Sequence, residues 1–225
     1  MSPRTLFIHT PKAAGTSIAS SCPVVCVSEK YLDANKIKES RMNPRSYHTL
    51  GNVQRFIKHA PYNYLAKEQL DRFDKVVTAI RNPWSRLVSM YHHADAISSN
   101  IQGSWYHQDN ISWDDYIDRM DSFRMNSSYY WNHPYDQWGN QLDWICKNYT
   151  PKVDVLRYEH IQEDVDMYFE THIDLAKDNI GVYNRDYKDY YTEKQKQKVA
   201  NWFRMDIEHW GFTFESAATR NYWTK

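Results

Sequence analysis

Four short apolar runs, each leading through a loop toward a helical pattern, constrain this 225-residue chain more than any other feature. They are RTLFIH at 4–9, VVCV at 24–27, KVVTAI at 75–80 and VDVLR at 153–157. Runs this short, β-branched and without polar alternation read as strands buried on both faces. Helical patterns fall between and after them. One starts behind Gly15, with Thr16 or Ser17 near its cap. Another covers Tyr62–Leu70 after Pro61, and a third opens at Pro83. Ser112 with Asp115 starts a helix reaching about Met120. A fifth begins near Glu159. Thr192 with Gln195 is a capping box opening one long helix, whose Val199, Trp202, Phe203, Ile207 and Trp210 share a face until Gly211 stops it. This alternation predicts an α/β fold of three layers, a central parallel sheet flanked by helices. Ligands in such sheets bind at the carboxyl ends of the strands. The loops after Ile8 and Ile80, and the segment leading into the KVVTAI strand, should therefore meet.

Lys plus Arg and Asp plus Glu both number 28, so the formal net charge is zero and nucleic acid is not an expected partner. Three cysteines make no disulfide framework, and Cys22 and Cys26 lack a downstream His/Cys pair for zinc. No metal is expected. No stretch is long and apolar enough to span a membrane. Aromatic residues make up 16% of the chain, which suits a sugar-binding cleft, although a compact aromatic core is the commoner use.

The first loop, HTPKAAGTS, places one Lys, one Gly and two hydroxyls between a strand and a helix start. Backbone N–H groups there converge on the positive end of the helix dipole, a ready site for a phosphate. A structural turn with an exposed Lys12 fits equally well. The order differs from a nucleoside-triphosphate loop, because Lys12 precedes Gly15 and no second Gly opens it. In IRNPWSRLVSMY at 80–91, Arg81 leaves a strand end and Ser89 lies two turns into the next helix. Arg81 suits a phosphate but also suits a surface salt bridge. Arg86 is expected to face solvent or an acidic neighbour. Asp114–Asp115 and Glu163–Asp164 read as helix-start or solvated charges, and the adjacent His92 and His93 point to different helix faces.

HTPKAAGTSI followed by IRNPWSRLVSMY resembles the paired 5′-phosphosulfate and 3′-phosphate motifs of sulfotransferases that use 3′-phosphoadenosine 5′-phosphosulfate (PAPS). The resemblance is strongest to the carbohydrate group that includes the chondroitin and heparan enzymes. KHAPYNYLAKEQL at 58–70, RYEHIQED at 157–164 and DYYTEKQKQKVANWFRMDIEHWGF at 189–212 are also similar to that group. The likeness touches most of the chain except about 28–50 and 95–135.

The resemblance implies a P-loop-like fold and a single domain over 1–225, with an aromatic-rich insertion at about 95–135 on the acceptor side. It assigns Pro11, Lys12, Ala13, Ala14, Gly15, Thr16 and Ser17 to the 5′ end of PAPS, and Arg81 and Ser89 to its 3′-phosphate. His59, 22 residues before Arg81, falls where the group carries its catalytic base; His48, in the same approach segment, is the alternative. Lys12 would act in catalysis as well as binding. Arg185 and Lys188 lie near where related enzymes close over the donor. The implied reaction moves a sulfuryl group to an acceptor hydroxyl, on a carbohydrate by analogy with the group. Two other readings stay open: a Mg·ATP-dependent kinase using the first loop, and a glycan-binding module without activity. A cytoplasmic location is expected if the chain is complete, and the Golgi lumen if it was trimmed behind a membrane anchor.

Overall fold

The computed structural model describes residues 4–35, 59–98, 111–125, 139–147, 150–151, 153–176 and 185–219. The four apolar runs form strands β1 (Thr5–Ile8), β2 (Val24–Cys26), β3 (Lys75–Ile80) and, further along the chain, β6 (Asp154–Arg157). They make one sheet in the order β2-β1-β3-β6, parallel throughout. A separate antiparallel pair joins β4 (Cys146–Lys147) to β5 (Thr150–Pro151).

Side chains alternate across a strand, and on β1, β3 and β6 both faces are largely buried, whereas β2, expected to be buried, is an edge strand only partly covered, with Cys26 exposed. Leu6, Ile8, Ile80 and Val155 enter one core, while Phe7, Val77, Ala79 and Leu156 enter the other. Helix α1 (Gly15–Ser21), through Ile18, covers the second face with α6 (Ile161–Phe169), through Val165 and Tyr168. The first face carries more. Between α1 and α6 in the chain lie α2 (Lys67–Leu70), α3 (Pro83–Ser98), α4 (Trp113–Met125) and α5 (Leu142–Ile145). After them come α7 (Glu193–Trp202) and α8 (Arg204–Trp210). Trp84 and Leu87 of α3, Ile117 of α4, Val199 of α7 and Trp210 of α8 all bury in that first-face core. The predicted three-layer α/β architecture is what the chain adopts.

Local differences have local causes. The helix expected over Tyr62–Leu70 is broken into a 3-10 turn (Tyr62–Tyr64) and α2. Leu65 and Ala66 are extended between them, because Leu65 bridges Leu32 and the Ala66 N–H donates to the Tyr31 carbonyl. The long C-terminal helix is likewise two, α7 and α8, divided at Phe203 (φ −110, ψ 27). Its capping box is present and Gly211, at φ 70, ends α8. Helix α4 runs past Met120 to Met125, since no Gly or Pro lies there to stop it. The start of α1 is not capped by Thr16 or Ser17: Ala14 occupies the cap position in the left-handed region, with no side-chain hydrogen bond. Asp164 is a helix-start charge, in the first turn of α6, but not a solvated one; it is fully buried and paired in bidentate fashion with Arg157. Among the described residues, no helix is long and apolar enough to cross a membrane.

Candidate functional site

The loop between β1 and α1 begins from a fixed point. The Thr78 hydroxyl on β3 donates to the Ile8 carbonyl at 2.8 Å, and therefore accepts from the Thr10 hydroxyl, also at 2.8 Å. Beyond Thr10 the backbone is unusual. Lys12 (φ 64) and Ala14 (φ 59) both adopt left-handed conformations that cost a non-glycine residue on the order of 1 kcal/mol each. Pro11 and Ala13 are buried, whereas Lys12, Ala14, Thr16 and Ser17 are partly exposed. The first N–H groups of α1 lack a side-chain cap, so the loop presents backbone donors beside the Lys12 ammonium. Burial and the neighbouring Arg81 guanidinium bring Lys12 down from its ordinary 10.5 to about 8.

Arg81 lies at the end of β3, as expected, but not on the surface: it is 6% exposed. Its Nε donates to the Ser85 hydroxyl at 2.9 Å, and its guanidinium sits 4.0 Å over the Tyr158 ring. Its Nη1 reaches the Lys12 carbonyl at 3.4 Å, which brings the two predicted phosphate loops together. Asn82 caps α3: its Oδ1 accepts from Trp84 N–H at 3.0 Å, directly ahead of Pro83 at the first helical position. Its own N–H donates to the Glu159 carboxylate at 2.7 Å. Ser89 lies two turns along α3, half buried.

Arg86 meets its expectation only in part. Its side chain is 1% exposed and so does not face solvent, but the buried carboxylate of Asp206 is its acidic neighbour. Nε donates to the Pro11 carbonyl at 3.1 Å and Nη1 to the Gly139 carbonyl at 3.0 Å. One turn into α3 on the sheet side, it points back under the first loop, clamping that loop to the segment ahead of α5. Two further buried groups complete this layer. Gln141 pairs with both backbone groups of Arg81, and Asp206 of α8 accepts from the N–H of Gln141 and of Leu142. Burial pushes the Asp206 carboxyl from 3.8 up to about 6, although those N–H groups and Arg86 favour its charged form.

His59 meets the first loop from above β1. Its Nδ1 is 2.8 Å from the His9 carbonyl, and its ring packs edge-on against the His9 ring at 4.4 Å between centroids. A carbonyl only accepts, so Nδ1 carries the hydrogen, and in the neutral ring the lone pair is then on Nε2. That is the protonation pattern a general base needs. His48 lies outside the described residues.

The 3-10 turn Tyr187–Tyr190 packs on α3. Tyr187 faces the Arg81 and Glu159 charges, and burial raises its hydroxyl to about 12. Arg185 and Lys188 sit on the outer side of that turn. The Arg185 guanidinium stacks 3.8 Å over Tyr190, and Lys188 pairs with Glu215. Among the described residues, no group of three or more His, Cys, Asp or Glu side chains is arranged to hold a metal.

Sequence reasoning missed Gln141 and Asp206, and did not foresee the burial of Arg86. Asp206 did leave a signal, because it falls on the same helical stripe as Val199, Phe203 and Trp210. A carboxylate on an apolar stripe must find buried donors or an unusual role. Gln141 left none, since its segment carries no periodic pattern.

The sulfotransferase domain family matches residues 24–171, well over half of the chain. That span contains His59, Arg81 and Ser89, and starts after the first loop. No curated protein matches the sequence. A solved structure of mouse sulfotransferase SULT7A1 complexed with PAP is similar at 12% identity, over 92% of this chain and 84% of that one, with a TM-score of 0.44. On the extent of the family match, this chain belongs to the sulfotransferase domain family.

Proposed function

We propose that the chain transfers the sulfuryl group of PAPS to a carbohydrate hydroxyl, with Lys12 and Arg81 gripping opposite ends of the donor and His59 removing the acceptor proton. Family membership supports the reaction class. The observation that carries the site is the approach of Arg81 Nη1 to the Lys12 carbonyl, which sets two cationic loops side by side at the carboxyl ends of adjacent parallel strands. PAPS is anionic at both ends and needs two such sites. The residues present suit it: left-handed backbone at Lys12 and Ala14, an uncapped helix start, a partly buried ammonium and a guanidinium held by Ser85 and Tyr158.

In this reading Pro11–Ser17 hold the 5′ end, and Arg81 with Ser89 holds the 3′-phosphate. Arg185 and Lys188 belong to the outer rim. His59 Nε2 takes the acceptor hydroxyl proton as that oxygen bonds to sulfur. Lys12 offsets the charge collecting on the departing 5′-phosphate oxygen as the old sulfur–oxygen bond breaks. Adenosine 3′,5′-bisphosphate is the other product. A preorganised cation at a developing charge is worth about 3 kcal/mol.

The carbohydrate acceptor rests on a partly exposed aromatic cluster. Tyr91, His92, Trp113 and Tyr190 form one edge-packed group that runs up to the proposed 95–135 insertion of the single domain and enters it at Trp113. The ring edges and faces that such a cluster leaves open suit the apolar side of a sugar ring. The test is transfer from radiolabelled PAPS to a chondroitin or heparan oligosaccharide, beside a tyrosine peptide and a simple phenol. Label on the oligosaccharide, lost in His59→Ala, is expected. Label on the peptide or phenol alone would refute the carbohydrate assignment.

A further inference from the structure

We propose that Gln141 is a positioning residue for the donor's 3′-phosphate, itself oriented by the buried carboxylate of Asp206. The inference rests on the donor site argued above. Ladder pairing of β3 with β6 ends at Ile80 and Arg157. One residue later, the Gln141 side chain takes over as a strand would: its Oε1 accepts the Arg81 N–H at 2.8 Å and its Nε2 donates to the Arg81 carbonyl at 2.8 Å. Both backbone groups of Arg81 are thereby fixed, and with them the direction in which its guanidinium leaves the sheet.

Gln141 is completely buried, and its own setting is fixed in turn. The Asp206 Oδ2 accepts the Gln141 N–H at 2.7 Å and lies 3.3 Å from Nε2, while Oδ1 accepts the Leu142 N–H at 3.0 Å. A side-chain amide could rotate by half a turn and present the wrong group to each partner. The carboxylate prevents that, because it only accepts and so holds Nε2 rather than Oε1 on its side. Neither Gln141 nor Asp206 is placed to touch the reacting atoms; both act through Arg81.

A merely structural role and a positioning role differ in which ligand they affect. Adenosine 3′,5′-bisphosphate and adenosine 5′-monophosphate differ only in the 3′-phosphate. Calorimetric affinities for both are measured on the wild type, on Gln141→Met, which keeps the volume, and on Asp206→Asn. Gln141→Met is expected to lower the preference for the bisphosphate about tenfold while the monophosphate affinity stays within about twofold. Asp206→Asn should move the preference the same way by less. An unchanged preference in a folded Gln141→Met would overturn the proposal, as would equal losses for both ligands. Failure of both variants to fold, by circular dichroism, would also overturn it, since the network would then hold the fold rather than the phosphate. A wild type with no preference for the bisphosphate would instead overturn the donor site on which the proposal rests.

Discussion

The imidazole of His9 lies against Gly15 so closely that a Cβ at position 15 would sit 2.0 Å from its Cδ2 and Nε2. His9 in turn carries His59 on both its ring and its carbonyl. The glycine of the first loop thus admits the residue that seats the proposed base.

Gly15→Ala should therefore displace the His9 ring, lower stability by about 2 kcal/mol and cut turnover further than that loss accounts for. Ligand-free urea unfolding and kcat measure the two effects. The double variant His9→Ala/Gly15→Ala should unfold with the same midpoint as His9→Ala alone, because the clash is gone.

His59→Ala should reduce kcat by about 100-fold or more and leave the affinity for adenosine 3′,5′-bisphosphate unchanged. A general base acts on the acceptor, not on donor binding. Steady-state kinetics beside calorimetry check this, and near-normal turnover in the folded variant would remove His59 from the mechanism.

Lys12 gives a pH dependence with a definite sign. Its ammonium titrates at about 8 in the free protein, lowered by burial and by Arg81. A bound anion favours the charged form and raises that value. Bisphosphate affinity should be level with respect to this group below about pH 8 and weaken above it, as the free protein loses the proton that binding requires. Lys12→Arg stays charged throughout and should remove this loss between about pH 8 and 9.5.

Arg86→Met keeps much of the buried volume but strands the Pro11 and Gly139 carbonyls and leaves Asp206 without its nearby cation. It should cost about 3 kcal/mol by urea unfolding. The Asp206 pKa is already raised by burial, so folding disfavours its charged form. Losing Arg86 raises it further. The deficit relative to wild type should be level below about pH 6, where both folded proteins keep Asp206 protonated, and grow above it, where only the wild type ionises the buried carboxyl readily.

The layered fold was legible because a parallel sheet buried on both faces writes its strands as unbroken apolar runs. The helix starts at Pro83, Ser112 and Thr192 were legible because caps are local chemistry. Arg81 was readable as the end of a strand. What could not be read was the far side of each position. Arg86 looks like any helix-surface arginine until the first loop is folded over it. Asp164 becomes buried only when Arg157 at the end of β6 turns to meet it. The division at Phe203 and the extended Leu65–Ala66 step likewise depend on partners distant in sequence, which a local pattern cannot carry.

The most direct test of the account is thermal unfolding of the wild type and Arg81→Ala with adenosine 3′,5′-bisphosphate, beside ATP with and without Mg²⁺. A ligand that binds only the folded state raises Tm by mass action. A rise with the bisphosphate that needs no metal and disappears in Arg81→Ala is expected. No rise with the bisphosphate, but a clear one with Mg·ATP, would contradict it.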